Sequence, residues 1–104
     1  MTYLIEVTDR AMAIADEVYA RIAEDSPSRA AIWYQKLFQQ IDTLATHPQR
    51  CPLAAENHKF PEEIRELLYG KRNNKYRIIF TIRDATTVVV LTIHHGARKE
   101  LEPE

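Results

Sequence analysis

His94 and His95 are the side chains of this chain best suited to acid–base chemistry, because imidazole titrates near neutrality. They lie among cations. Arg65, Lys71, Arg72, Lys75, Arg77, Arg83, Arg98 and Lys99 fall between positions 65 and 99, against Glu66 and Asp84, a local balance of +6. Residues 1–64 carry six basic and ten acidic residues, and Glu100, Glu102 and Glu104 follow. The net charge of −1 therefore conceals a basic second half on an acidic first half. A localised positive field attracts phosphates or an acidic protein whatever the total charge. Adjacent strand residues face opposite sides, so at most one of the two histidines shares a surface with a given arginine. A structural, hydrogen-bonded role is the simpler reading for both.

Other constellations carry less. His47, Cys51 and His58 match no zinc-ligand spacing and lack a fourth ligand, so no metal is expected. The single cysteine has no internal disulfide partner, and we read it as a loop or semi-buried thiol. The two glycines form neither a GxGxxG nor a Walker sequence, and no cofactor is expected. No apolar run approaches the roughly 18–20 residues that span a bilayer. The N-terminus MTYLIEVTDR lacks the basic-then-apolar order of a secretory signal, so we expect a cytoplasmic protein with no membrane partner.

The elements that position these residues follow from periodicity. The 104 residues, 45% hydrophobic and 28% charged, fit one domain over 1–104. Tyr3–Val7 reads as a strand. Thr8 or Asp9 caps a helix whose stripe is Ala11, Ile14, Ala15, Val18, Tyr19 and Ile22. Ser26 and Pro27 open a second helix, with Ala30, Trp33, Tyr34, Leu37, Ile41, Leu44 and Ala45 on one face. Trp33 and Tyr34 thus read as core. The helix should end near Thr46, because Pro48 disfavours helical geometry at His47. So short a link makes the two helices an antiparallel hairpin.

Residues 47–61 hold Pro48, Pro52 and Pro61 and read as a loop over the core edge. Three strands follow: Ile64–Tyr69, ended by Gly70; Lys75–Ile82, with Tyr76, Ile78, Phe80 and Ile82 on one face; and Thr87–His94. The segment 83–86 is a turn, and Lys71, Arg72 and Lys75 lie in the preceding hairpin tip. The fold class is α+β, in the order β-α-α-β-β-β, with the helical hairpin on one face of a small antiparallel sheet.

Three segments in this order, DSPSRAAIWYQKLFQQIDTLATHP, EIRELLYGKRNNKYRIIFTI and VVVLTIHHGAR, resemble the RelE/ParE superfamily of type II toxins, with a lean to the ParE-like branch. The likeness runs from Tyr3 to Arg98. It implies a growth-inhibiting toxin, of the kind associated with plasmid stabilisation, neutralised by a cognate antitoxin protein. ParE-like members inhibit DNA gyrase; RelE-like members enter the ribosome and cleave mRNA. A third outcome is an inactive toxin fold that only binds a partner.

The resemblance also assigns candidate residues. RNA cleavage without a metal needs a base for the 2′-OH, cations for the charged phosphorane and an acid for the leaving oxygen. If the chain is such a nuclease, Arg65, Arg77, His94 and His95 are its candidates. Arg77 matches the arginine of the family's Tyr-Arg-apolar strand, and Arg65, alternating with Ile64, is placed to share its face. Arg65, Lys71, Arg72, Lys75, Arg77, Arg98 and Lys99 form the expected binding surface for an acidic, amphipathic antitoxin. After His95 no aromatic residue follows, whereas RelE-like nucleases often place a tyrosine or histidine there, and the terminal glutamates would repel RNA. Whether such a protein is an enzyme depends on the branch.

Overall fold

The computed structural model describes residues 2–71 and 74–96. These form the strands β1 (Leu4–Val7), β2 (Arg65–Tyr69), β3 (Tyr76–Asp84) and β4 (Thr87–His95), and the helices α1 (Asp9–Asp25) and α2 (Pro27–Asp42), in the order β-α-α-β-β-β.

Local chemistry sets the helix ends. Thr8 caps α1, its Oγ1 accepting from the Ala11 N–H at 3.1 Å while donating to the Leu91 carbonyl at 2.9 Å. Ser26 serves both helices. Its N–H closes α1 on the Ile22 carbonyl and its Oγ accepts from the Arg29 N–H, with Pro27 at the first turn of α2. The second helix ends at Asp42, earlier than the apolar stripe suggests, and a 3-10 turn carries the chain through Ala45. Arg50 donates to the carbonyls of Thr43 and Thr46 there, at 3.2 and 2.9 Å. His47, ahead of Pro48, leaves the right-handed helical region as expected, but for the left-handed one at φ 48° and not the extended geometry usual before proline.

The sheet order is β1-β4-β3-β2. The β2–β3 and β3–β4 pairs are antiparallel, as expected, but β1 joins β4 in parallel, so the sheet is mixed. Gly70 ends β2 at φ +111°, where a Cβ would stand 2.2 Å from the Asn74 carbonyl oxygen; this turn requires glycine.

One face of the sheet, bearing Tyr76, Ile78, Phe80, Val88, Val90 and Ile93, packs on Ala11, Ala15 and Val18 of α1 and Leu37 and Ile41 of α2. The opposite face is not bare. The register shift at Ile79/Phe80 leaves Leu91 as an extra residue, and Leu91 joins Ile79 in a second, smaller apolar cluster with Ala54, Phe60 and Ile64. Residues 52–64 therefore do more than cover a core edge. They cross the face of the sheet away from the helices, turning through a 3-10 segment at Asn57–Lys59 and bridging β2 at Leu53–Arg65.

Candidate functional site

Directly paired residues point to the same side of a sheet. Arg77 is paired with Leu68 and His94, and Arg65 with Phe80, a residue of the helical-side core. Arg65 and Arg77 therefore project from opposite faces. The expectation that they share a surface is corrected: along β2 and β3 the two positions fall in opposite phase of the strand alternation.

Arg77 lies on the face away from the helices, and all three nitrogens of its guanidinium donate to carboxylates. Nη1 and Nη2 donate to the two carboxylate oxygens of Glu56 at 2.8 and 2.5 Å. Nε and Nη2 donate to Oε1 of Glu66 at 3.0 and 2.8 Å. Glu56 is 1% exposed, the one charged side chain buried among the described residues. The hydrogen bonds that Arg77 donates to Glu56 hold the guanidinium pKa above its ordinary value, against burial, which acts the other way; Glu66 adds to the rise. Two carboxylates thus meet the Arg77 guanidinium and compensate its charge in place.

Arg65 is likewise engaged. Its Nη1 donates to the Cys51 carbonyl at 2.6 Å and its Nη2 pairs with Glu63 at 3.0 Å, while its buried Nε finds no acceptor among the described residues. Burial pushes the Cys51 thiol pKa up, and Arg50 and Arg65 offset this in part. The thiol is thus kept protonated and inert near neutrality.

The histidines separate as alternation requires. His94 stands across from Arg77 on the far face. His95 is on the helical side, its ring edge-on to Tyr76 with centroids 4.9 Å apart, in a small recess with Glu17 and Arg21. Lys71 and Lys75 are exposed at the β2–β3 turn. Arg72, Arg98 and Lys99 lie outside the described residues. Of the seven residues of the expected binding surface, the structure thus brings Lys71 and Lys75 to one exposed turn and places Arg65 and Arg77 elsewhere, each paired with acid.

A concavity of about 630 Å³ opens between the hairpin tip and that turn. Ile22, Ile32, Trp33 and Tyr69 form its apolar part, with Arg29, Lys36 and Lys71 as cations and Asp25 as an acid. Trp33 stacks edge-on to Tyr76 at 5.4 Å, and the Tyr69 hydroxyl donates to the Trp33 carbonyl at 2.8 Å. Trp33 is therefore partly core, as expected, and also part of a wall. A sequence signal for this site exists. Arg29, Ile32, Trp33 and Lys36 are spaced i, i+3, i+4, i+7, a second helical stripe beside the buried one, and Ile32 is 52% exposed.

The family model for the ParE toxin of type II toxin-antitoxin systems (parDE) matches residues 5–100. The chain belongs to the ParE toxin family. Its fold is also that of a solved chain described as the chromosomal ParDE TA system from P. aeruginosa, at 17% identity and TM-score 0.71, covering 90% of this chain and 96% of that one. A comparison with curated proteins finds no match. The ParE match spans the helical hairpin, the strap of residues 52–64 and all three later strands, so the features described above lie within the family domain. No helix among the described residues is long and apolar enough to cross a membrane.

Proposed function

We propose that this ParE-family chain is a growth-inhibiting toxin that acts in the cytoplasm by binding DNA gyrase, without bond-breaking chemistry of its own, and that a cognate antitoxin neutralises it. The family description, a toxin of a toxin-antitoxin system, supports the antitoxin partner. The observation that favours binding over RNA cleavage is the engagement of Arg77 by Glu56 and Glu66. A phosphorane needs net positive charge aimed at it. A guanidinium whose donors already meet two carboxylates supplies none without first losing them.

A second reading, a ribosome-dependent mRNA interferase, draws on the pairing of His94 with Arg77 across the strands. Two assays distinguish the readings: supercoiling by purified gyrase, and the appearance of new mRNA 5′ ends during translation. Inhibition of the first without cuts in the second supports the gyrase reading. Cuts that disappear in His94→Ala support the second. Silence in both, with no growth arrest on expression, marks an inactive toxin fold that serves as a binding protein.

In this reading the antitoxin binds at the concavity lined by Ile32, Trp33 and Tyr69. The exposed cations Lys36 and Lys71 border an apolar concavity, the combination that an acidic, amphipathic segment needs for charge complementarity and for anchors that offset its ordering.

A further inference from the structure

We propose that residues 52–64 are a strap that opens as a unit from the far face of the sheet, with the Glu56–Arg77 pair as its latch. The backbone bonding is the first ground. Within the strap the N–H groups of Asn57, Lys59 and Phe60 donate to Ala54, Glu56 and Asn57, and the Asn57 side chain accepts from the Ile64 N–H at 2.7 Å. The remaining bonds lie at its ends: Ala54 N–H to the Ile64 carbonyl ties start to end, Glu66 N–H to the Pro52 carbonyl ties the start to β2, and the Thr81 hydroxyl donates to the Glu63 carbonyl at the end. Across its middle the strap is held to the sheet by side chains: Ala54 and Phe60 in the small apolar cluster with Ile79 and Leu91, and Glu56 on Arg77. Lifting the middle breaks no sheet ladder.

The second ground is electrostatic. A buried carboxylate is tolerated only when paired, and its desolvation offsets much of what the pair gains. Glu56 regains water when the strap lifts. Arg77 is not then stranded, because Glu66, on its own sheet, still accepts from Nε and Nη2. A guanidinium shared between a fixed and a removable carboxylate makes the open form accessible. Elements of low local stability are those held by few apolar contacts, as here.

Third, Arg65 fixes the hinges. Its Nη1 holds the Cys51 carbonyl at the start of the strap and its Nη2 holds Glu63 at the end. One arginine clips the ends and the other latches the middle. Opening uncovers Arg77, with one acid partner left, beside Ile79, Leu91 and His94, a surface that the closed form hides.

Native-state hydrogen exchange across a low-urea series tests this on the full chain. The amides of Asn57, Lys59 and Phe60 should exchange at least tenfold faster than those of Ile78 and Phe80, with one shared urea slope shallower than theirs. Arg77→Lys, which keeps the charge but loses the fork, should speed the strap amides at least fivefold, whereas Arg83→Lys should leave them unchanged. Strap amides that share the rate and urea slope of β3 in the unaltered protein would overturn the proposal. So would strap amides whose exchange Arg77→Lys leaves unchanged.

Discussion

Arg65 and Arg77 stand on neighbouring strands and project from opposite faces of the sheet, one toward Cys51 and Glu63, the other into Glu56 and Glu66. Each is held by groups from the segment between α2 and β2. That segment carries Glu56, Glu62 and Glu63, and by folding across β2 and β3 it brings acids onto the basic strands. The positive field of the second half of the chain is cancelled where its arginines are buried. Among the described residues it survives at the exposed β2–β3 turn and the neighbouring face of α2.

The Arg77 cluster should behave as a buried ion pair in unfolding experiments. Glu56→Leu alone leaves a buried guanidinium short of one carboxylate and should cost about 3 kcal/mol, the low end for breaking such a pair because Glu66 remains. Arg77→Met combined with Glu56→Leu should recover at least half of the loss. Urea denaturation of the two variants measures both values, and a double variant no more stable than the single one would mean that the strap needs the charge itself.

How far the sequence reveals this molecule depends on the range of the interactions. The helices, their shared Ser26 junction and the β2–β4 strands are legible from periodicity and capping, which are local. The parallel docking of β1 on β4 is not, because it joins residues about 80 positions apart. Nor is the pairing of Arg77 with Glu56, since residues 47–61 carry no period to say which face they cover. Charge counted by segment misled for the same reason. Alternation did separate His94 from His95, and would have separated Arg65 from Arg77 had the β2–β3 register been known. The concavity was readable in part, from Ile32 lying off the buried stripe of α2.

Asp84 gives a pH-dependent signal. Its carboxylate accepts from both the backbone N–H and the hydroxyl of Thr86, at 2.8 and 2.9 Å, and these bonds hold its pKa below the ordinary aspartate value. The sign follows from linkage. A depressed folded-state pKa adds stability above the unfolded pKa, near 4, and that contribution is lost as pH falls through the folded value. Thr86→Val removes the hydroxyl and keeps the N–H, so the Asp84 pKa should rise part of the way back in an NMR titration. An unchanged titration would assign the shift to the backbone alone.

Charge at the concavity should control antitoxin affinity. Lys36→Glu or Lys71→Glu should each weaken the complex with the cognate antitoxin by about two- to fivefold, as expected for rim charges, and reduce its salt dependence. Arg83→Glu, at an exposed pair with Glu6 on the far side of the sheet, should change affinity little. Calorimetry at low and high salt reads both effects, and equal losses at all three positions would mean that the antitoxin responds to net charge alone.

With Arg77 committed to Glu56 and Glu66, the proposed action on gyrase is by binding alone. The most direct measurement puts purified protein into a gyrase supercoiling reaction and a translating extract side by side. Supercoiling should be inhibited, in His94→Ala as well, with no new mRNA 5′ ends. New 5′ ends that vanish in His94→Ala, with supercoiling untouched, would contradict action by binding alone.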